Sequence, residues 1–249
     1  MTDVLIDVGR GTDEDRWRHW PAMREWPELD LSTWAQRRVV VLAAHPDDEV
    51  LALGGTLALL ARLDVSLTFL WATDGEASHP GSVAPQVGQL ASLRRAEARA
   101  AMARLGVHGA EAAWLGMPDG GLQERYDDLV RIVRAARRPG DVFVVPFRDD
   151  GHPDHEACGR AAVEVVDDAA DVVEFPIWAW HWSTPGDVRV PWERARRIDL
   201  PPDVRRLKDE AIDEFHTQIR PIGPAAVDGP VLPERVLAHF RRDLEVVFT

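Results

Sequence analysis

The sequence predicts an α/β fold: a Rossmann-like, mostly parallel sheet with helices on both faces and an irregular C-terminal cap. Three observations carry this reading. Short runs of Val, Leu and Phe alternate with Ala-, Leu-, Arg- and Glu-rich stretches of helical period. The short runs are apolar throughout, as strands buried on both faces are. Two of them break off into polar His-Pro-Asp clusters, the pattern expected where strand ends border a ligand crevice.

Taken in order, the first 37 residues read as an N-terminal extension. Trp17, Trp20, Trp26 and Trp34 are scattered there among charges and prolines, which suggests a lid or surface wrap. RRVVVLAA, VLALGGTLALLARL and VSLTFLWA then form a strand, helix and strand. QLASLRRAEARAAMARLGV is a second helix with Gly106 as its stop, and EAAWLG is a short strand. LQERYDDLVRIVRAARR reads as a helix closed by Pro139-Gly140, followed by the strand DVFVVPF. HPDHEACGRAAVEVV supplies another helix, DVVEFPIWAWHW another strand, and VRRLKDEAIDEFHTQI a later helix. Residues from about 201 to 249 form the cap, with one short helix or strand near its end. The whole of 1–249 is expected to be one domain, without internal repeats.

The 249 residues are 45% apolar and 29% charged, the balance of a globular chain. A formal net charge of -13 repels phosphate backbones and anionic membranes, so nucleic acid is not an expected partner. Cys158 is the single cysteine, which excludes an intramolecular disulfide framework. No apolar run approaches the ~20 residues needed to span a bilayer, and the N-terminus lacks a signal pattern. A cytoplasmic location is the expectation; a homo-oligomer remains open.

Candidate chemistry sits at the two polar clusters. In the first, the apolar strand 39–43 gives way to His45-Pro46-Asp47-Asp48-Glu49, just before a helix. A catalytic zinc takes about three ligands from His, Asp and Glu and keeps one position for water. His45 at a strand tip and Asp48 in the first helical turn can converge on one point, while Asp47 projects differently and can serve as general base. The plainer alternative is that these acids offset a helix dipole, and for Glu49 that reading is preferred. The second cluster, His152-Pro153-Asp154-His155, follows the apolar strand 142–145. Two such clusters on one sheet edge provide a His/Asp/His metal set with residues to spare for acid and base work, the division of labour that amide hydrolysis needs. His19, His79, His108, His216 and His239 read as ordinary structural histidines. His181 is placed on a strand that reads either as a pocket wall or as core, and Cys158 as a buried small hydrophobe. Neither a phosphate-binding glycine loop nor a G-x-S-x-G elbow is present.

These motifs resemble the LmbE-like or PIG-L family of zinc-dependent N-acetylglucosaminyl de-N-acetylases. The likeness rests on Ala44-His45-Pro46-Asp47-Asp48-Glu49, Gly54-Gly55, Thr73-Asp74-Gly75-Glu76, Arg94 with Glu97, Leu105-Gly106, Leu115-Gly116-Met117-Pro118-Asp119-Gly120 and His152-Pro153-Asp154-His155. It runs from residue 39 to about 218. The resemblance implies that His45, Asp48 and His155 hold Zn2+ and that Asp47 is the base. It implies that His152 stabilises the oxyanion or protonates the departing amine, with Asp154 as its orienter. Arg94 and Asp119 match positions that contact sugar hydroxyls. The implied substrate is a small N-acylated amino sugar; a sugar-thiol conjugate or a specialised metabolite is the alternative. A Mg2+ phosphohydrolase and a non-catalytic carbohydrate-binding protein are the rivals, and the paired histidines with an intact base disfavour both.

Overall fold

The computed structural model describes residues 9–166 and 171–249. Two short helical turns, α1 (Glu14–Arg18) and α2 (Ala22–Glu25), lead into β1 (Arg38–Ala43), α3 (Asp48–Arg62) and β2 (Ser66–Thr73). Then come α4 (Leu90–Arg104), β3 (Glu111–Met117), α5 (Tyr126–Ala136), β4 (Val142–Pro146), α6 (Pro153–Val165) and β5 (Val172–Phe175). The remainder is α7 (Ala179–Trp182), β6 (Ala195–Asp199), α8 (Pro202–Ile212), α9 (His216–Ile219), α10 (Glu234–Leu237) and β7 (Leu244–Phe248).

Among the described residues the strands form one seven-stranded sheet in the order β3-β2-β1-β4-β5-β7-β6. β1 to β5 run parallel, and β7 lies antiparallel between β5 and β6. Successive side chains of a strand face opposite sides, so each central strand feeds two cores. Val39, Val41, Phe69 and Val144 pack under α3 and α4 on one side, together with Val204 and Ile212 of α8. Val40, Leu42, Phe143 and Val145 meet α5 and α6 on the other, where Cys158 is buried as expected. Gly159 is required in α6 by close approach: a Cβ there would lie 2.5 Å from the Pro146 carbonyl oxygen. The helix therefore rides directly on the end of β4, and that contact sets where its N-terminus points.

Three expectations change. DVVEFPIWAWHW is not one strand, because Pro176 cannot continue the ladder and residues 177–179 donate their N–H groups to a carboxylate instead of a neighbouring strand. His181 consequently lies in α7. The C-terminal stretch is irregular around residues 220–233, but β7 enters the sheet and is buried along its length. Its Glu245 accepts from the Gly55 and Thr56 amides (both 2.7 Å) and pairs with Lys208 Nζ at 2.8 Å, joining β7, α3 and α8. One strand and two helices thus close over an ion pair whose lysine is pulled below its ordinary pKa by burial, against the Glu245 charge.

The N-terminal extension, where described, does wrap the surface, yet it also supplies core. Trp17 is fully buried and sits in a group of indoles with Trp20, Trp180 and Trp192, at centroid distances of 5.0 to 5.8 Å from it. Beside it Glu14 accepts two bonds from Arg242 (2.8 and 2.6 Å) and faces His239 Nδ1 at 2.8 Å. Burial raises the Glu14 carboxyl, but the bonds and charges of Arg242 and His239 outweigh it and hold it at about 2, below its usual 4.5. A carboxylate depressed in the folded state stabilises the fold above its unfolded pKa, and that contribution is lost as pH falls through the folded value. Stability is therefore expected to drop by about 3 kcal/mol between pH 4.5 and about 2 through this group. Urea midpoints across that range measure it: Glu14→Gln should remove this part of the pH dependence, and parallel curves would refute the assignment.

Candidate metal centre

Strand order reverses between β1 and β4, so the crevice beyond their C-terminal ends is the switch point at which open α/β sheets hold ligands. Each of the two His-Pro clusters follows one of these strands. After β1, Pro46 ends the ladder and Asp47 takes a rare backbone conformation (φ 155°, ψ -30°) that turns the chain into α3. After β4, His152 caps α6 and Pro153 occupies its first turn, where a missing N–H costs nothing. Adjacent strands thus deliver both clusters to one place.

His45 Nδ1, His155 Nε2 and the Asp48 carboxylate form the resulting set. The two ring nitrogens are 3.3 Å apart, His155 Nε2 is 3.3 Å from Asp48 Oδ1, and His45 Nδ1 is 3.6 Å from Asp48 Oδ2. All three residues are buried, and their ligand atoms are close enough together to hold a metal ion. Burial alone would push both imidazoles down, but the surrounding carboxylates reverse this: His45 rises well above its ordinary value and His155 to about 9. Asp48, despite burial, is held well below the carboxylate range by the two histidines. This donor set is starved of positive charge, and a divalent cation satisfies it as the protons otherwise do.

The far nitrogen of each histidine is fixed by an acid. His155 Nδ1 meets Asp150 Oδ2 at 2.7 Å, and Asp150 accepts the N–H groups of Ile177, Trp178 and Ala179 at 2.9 to 3.0 Å. His45 Nε2 lies 3.1 Å from Asp119 Oδ1 and 3.4 Å from Asp154 Oδ2. Such outer carboxylates set the tautomer and aim of metal-binding imidazoles. Asp150 was missed by sequence reasoning, although it stands in the same polar loop, five residues before His155.

Asp47 borders the set without joining it. Burial lifts its carboxyl to about 6 even against the charge of Arg94, whose Nη2 donates to Asp47 Oδ2 at 2.9 Å. Arg94 Nη1 also donates to the Gly75 carbonyl and Nη2 to that of Pro46, while the buried Nε has no partner. Gly75 is obligatory there, since its φ is +65° and a Cβ would meet the guanidinium at 1.9 Å. His152 lies with its ring centroid 4.9 Å from that of His45 and 4.7 Å from that of His155, and its Nδ1 accepts the Asp154 N–H at 3.2 Å. Burial, followed by the charges of His155 and His45, holds the ring neutral, with its pKa near 3. The Asp154 carboxylate, though within 4.8 Å of a His152 ring nitrogen, makes no hydrogen bond to that ring. Its carboxylate accepts from the Gly120 and Leu122 amides and faces His45. A cavity of about 300 Å3 opens over these groups, with Leu51, Ile177, Trp178, Val231 and Leu232 as its apolar wall and Ser78 and Gln218 as polar points.

Fold and cluster together define an α/β protein with a buried histidine-carboxylate set, able to hold a metal ion, at the switch point of its sheet. Residues 40–166 match the family model described as PIG-L, GlcNAc-PI de-N-acetylase, and the chain belongs to that family. A 1D-myo-inositol 2-acetamido-2-deoxy-alpha-D-glucopyranoside deacetylase from Rhodococcus erythropolis is 32% identical, over 61% of this chain and 60% of that protein. One of the same name from Streptomyces avermitilis is 31% identical, over 80% and 76%. The chain spans about 60% of the length of the first of these relatives. The N,N'-diacetylchitobiose deacetylase of Pyrococcus horikoshii shares the fold, with a TM-score of 0.55 at 24% identity over 84% of this chain and 79% of that one.

Removing the Asp150 carboxylate should leave His155 free to rotate. Asp150→Asn is expected to weaken zinc affinity by about 10- to 100-fold, measured by competition against a chromophoric chelator; unchanged affinity would show that His155 needs no such anchor.

Proposed function

We propose that the chain is a zinc-dependent amide hydrolase that removes an acyl group, acetyl first, from the nitrogen of an amino sugar. The observation that carries this reading is the buried His45/Asp48/His155 set, with a separate carboxylate, Asp47, held at its edge by Arg94. Two imidazoles and one carboxylate suit zinc better than magnesium, which prefers oxygen donors and keeps its waters. When bound, zinc supplies Lewis acidity that polarises the carbonyl and lowers the pKa of water toward ~7.

The residues do the rest. Asp47 accepts the proton of the attacking water and returns it to the nitrogen as the C–N bond breaks, so the products are a free amine and a carboxylic acid. Because a backbone N–H can only donate, His152 Nδ1 must be its acceptor, and the ring proton sits on Nε2. His152 is therefore set to donate to the oxyanion, a contribution of about 3 kcal/mol for one such donor. Arg94 and Asp119 border the cavity, but both are already bonded within the protein. We assign Arg94 to holding Asp47 and Asp119, with Asp154, to orienting His45. Trp178 offers a flat apolar wall on which the face of a pyranose ring can pack. The names of the relatives support N-acetylglucosaminyl-inositol as the first substrate to try.

Zinc-loaded protein is expected to release amine from N-acetylated amino sugars, read with an amine-reactive fluorophore, and binding of such sugars without any release would overturn the proposal. Asp47→Ala should keep its metal and lose turnover by about 10^2- to 10^4-fold, whereas His155→Ala should lose the metal itself. Equal loss of zinc from both variants would remove Asp47 from the base role.

A further inference from the structure

The chain of contacts that fixes His155 does not stop at Asp150. The three amides that hold Asp150 belong to residues 177–179, which enter α7, and Trp182 Nε1 closes the same unit by donating to the Asp150 carbonyl at 2.6 Å. Two of these residues, Ile177 and Trp178, also line the cavity. The outer side of this turn is bonded to a segment far away in sequence. Thr12 donates its N–H to the His181 carbonyl at 2.7 Å and its hydroxyl to the Ser183 carbonyl at 2.5 Å. Trp17 Nε1 donates to the Trp180 carbonyl at 2.9 Å. Gly11 packs so closely that a Cβ there would fall 2.0 Å from the His181 ring. Glu14 anchors the strap behind these contacts through Arg242, whose guanidinium lies 4.1 Å from the Trp180 ring centroid.

A four-residue helix cannot hold itself, since so short a segment satisfies few of its own backbone groups. The carbonyls at the C-terminal end of α7 are the ones that the strap takes up. We propose that residues 11–17, which lie outside the segment matched by the family model, are a positioning element for the metal site and the cavity wall. They order the 177–183 turn, the turn holds Asp150, and Asp150 aims His155. This rests on the metal reading above for its last link, while the link from strap to turn does not need a metal.

The test uses the full chain with Thr12→Val, Thr12→Ser and Gly11→Ala. Thr12→Val removes the hydroxyl at nearly constant shape, Thr12→Ser restores it, and Gly11→Ala drives the strap off His181 without touching the site. In metal-free protein, hydrogen exchange of the 177–183 amides should quicken at least several-fold in Thr12→Val and Gly11→Ala, with the sheet amides unchanged and Thr12→Ser near wild type. In a zinc titration against a chelator, the same two variants should bind more weakly by about 3- to 10-fold, less than the effect of an outer-shell carboxylate. KM for an N-acetylated amino sugar should rise with it through Trp178. Wild-type exchange at 177–183 in both variants would overturn the proposal, as would altered exchange with unchanged zinc affinity. Failure of the wild-type protein to bind zinc would instead strike the functional reading, and the exchange result would still decide whether the strap orders the turn.

Discussion

The carboxylate of Asp150 is the point on which the site hangs. A buried charge is tolerated only when its lone pairs are occupied, and Asp150 fills them with three backbone amides and one imidazole. That requirement ties together two loops that share no hydrophobic contact pattern in the sequence: the polar passage after β4 and the turn after β5. It also explains why the chain after Phe175 abandons the sheet. Its N–H groups are worth more to a buried anion than to a neighbouring strand.

The same logic runs through the rest of the centre. Asp48 accepts the His45 amide at 2.9 Å, Asp154 the amides of Gly120 and Leu122, and Asp119 that of Ala77. Each acid is first immobilised by the backbone and only then presented to a histidine. The consequence is a rigid, electron-rich pocket, and rigidity is what separates a metal site from a mere cluster of acids. Asp47 is the exception in kind: its partner is the Arg94 guanidinium, itself locked by two carbonyls, which leaves the carboxylate beside the set and outside it. Away from the site, Glu245 plays a comparable part, bonding the Gly55 and Thr56 amides of α3 and so joining the last strand to the helix that carries Asp48.

Much of this was legible beforehand. Parallel strands buried on both faces betray themselves as unbroken apolar runs, and strand ends by the abrupt change to polar residues, so β1, β4 and the helices after them could be placed, with His45, Asp48, His152 and His155 at their junctions. What hid β6, and the entry of the expected last element into the sheet as β7, was their setting among prolines and arginines, in a C-terminal stretch with little period. What hid the break after Phe175 was that the Ile and Trp residues beyond Pro176 favour strand and so read as its continuation. The roles of Arg94 and Asp154 were blurred because a family likeness carries positions, while the bond each side chain makes depends on which donor lies nearest.

By itself, then, the sequence determined the strand-helix alternation, the two His-Pro clusters and hence the residue types that gather at the end of the sheet, because local periodicity and short spacing are properties of neighbouring residues. Only the tertiary structure decided which acid aims each histidine, that Asp150 belongs to the site, and that the tryptophan-rich extension reaches the turn behind it. Asp150 and His155 are five positions apart, but the other contacts span 27 to 171 positions of chain, from Asp150 and Ile177 to Thr12 and Ser183. No local pattern encodes them, since they arise when packed layers bring distant buried polar groups together and leave each one partner to choose.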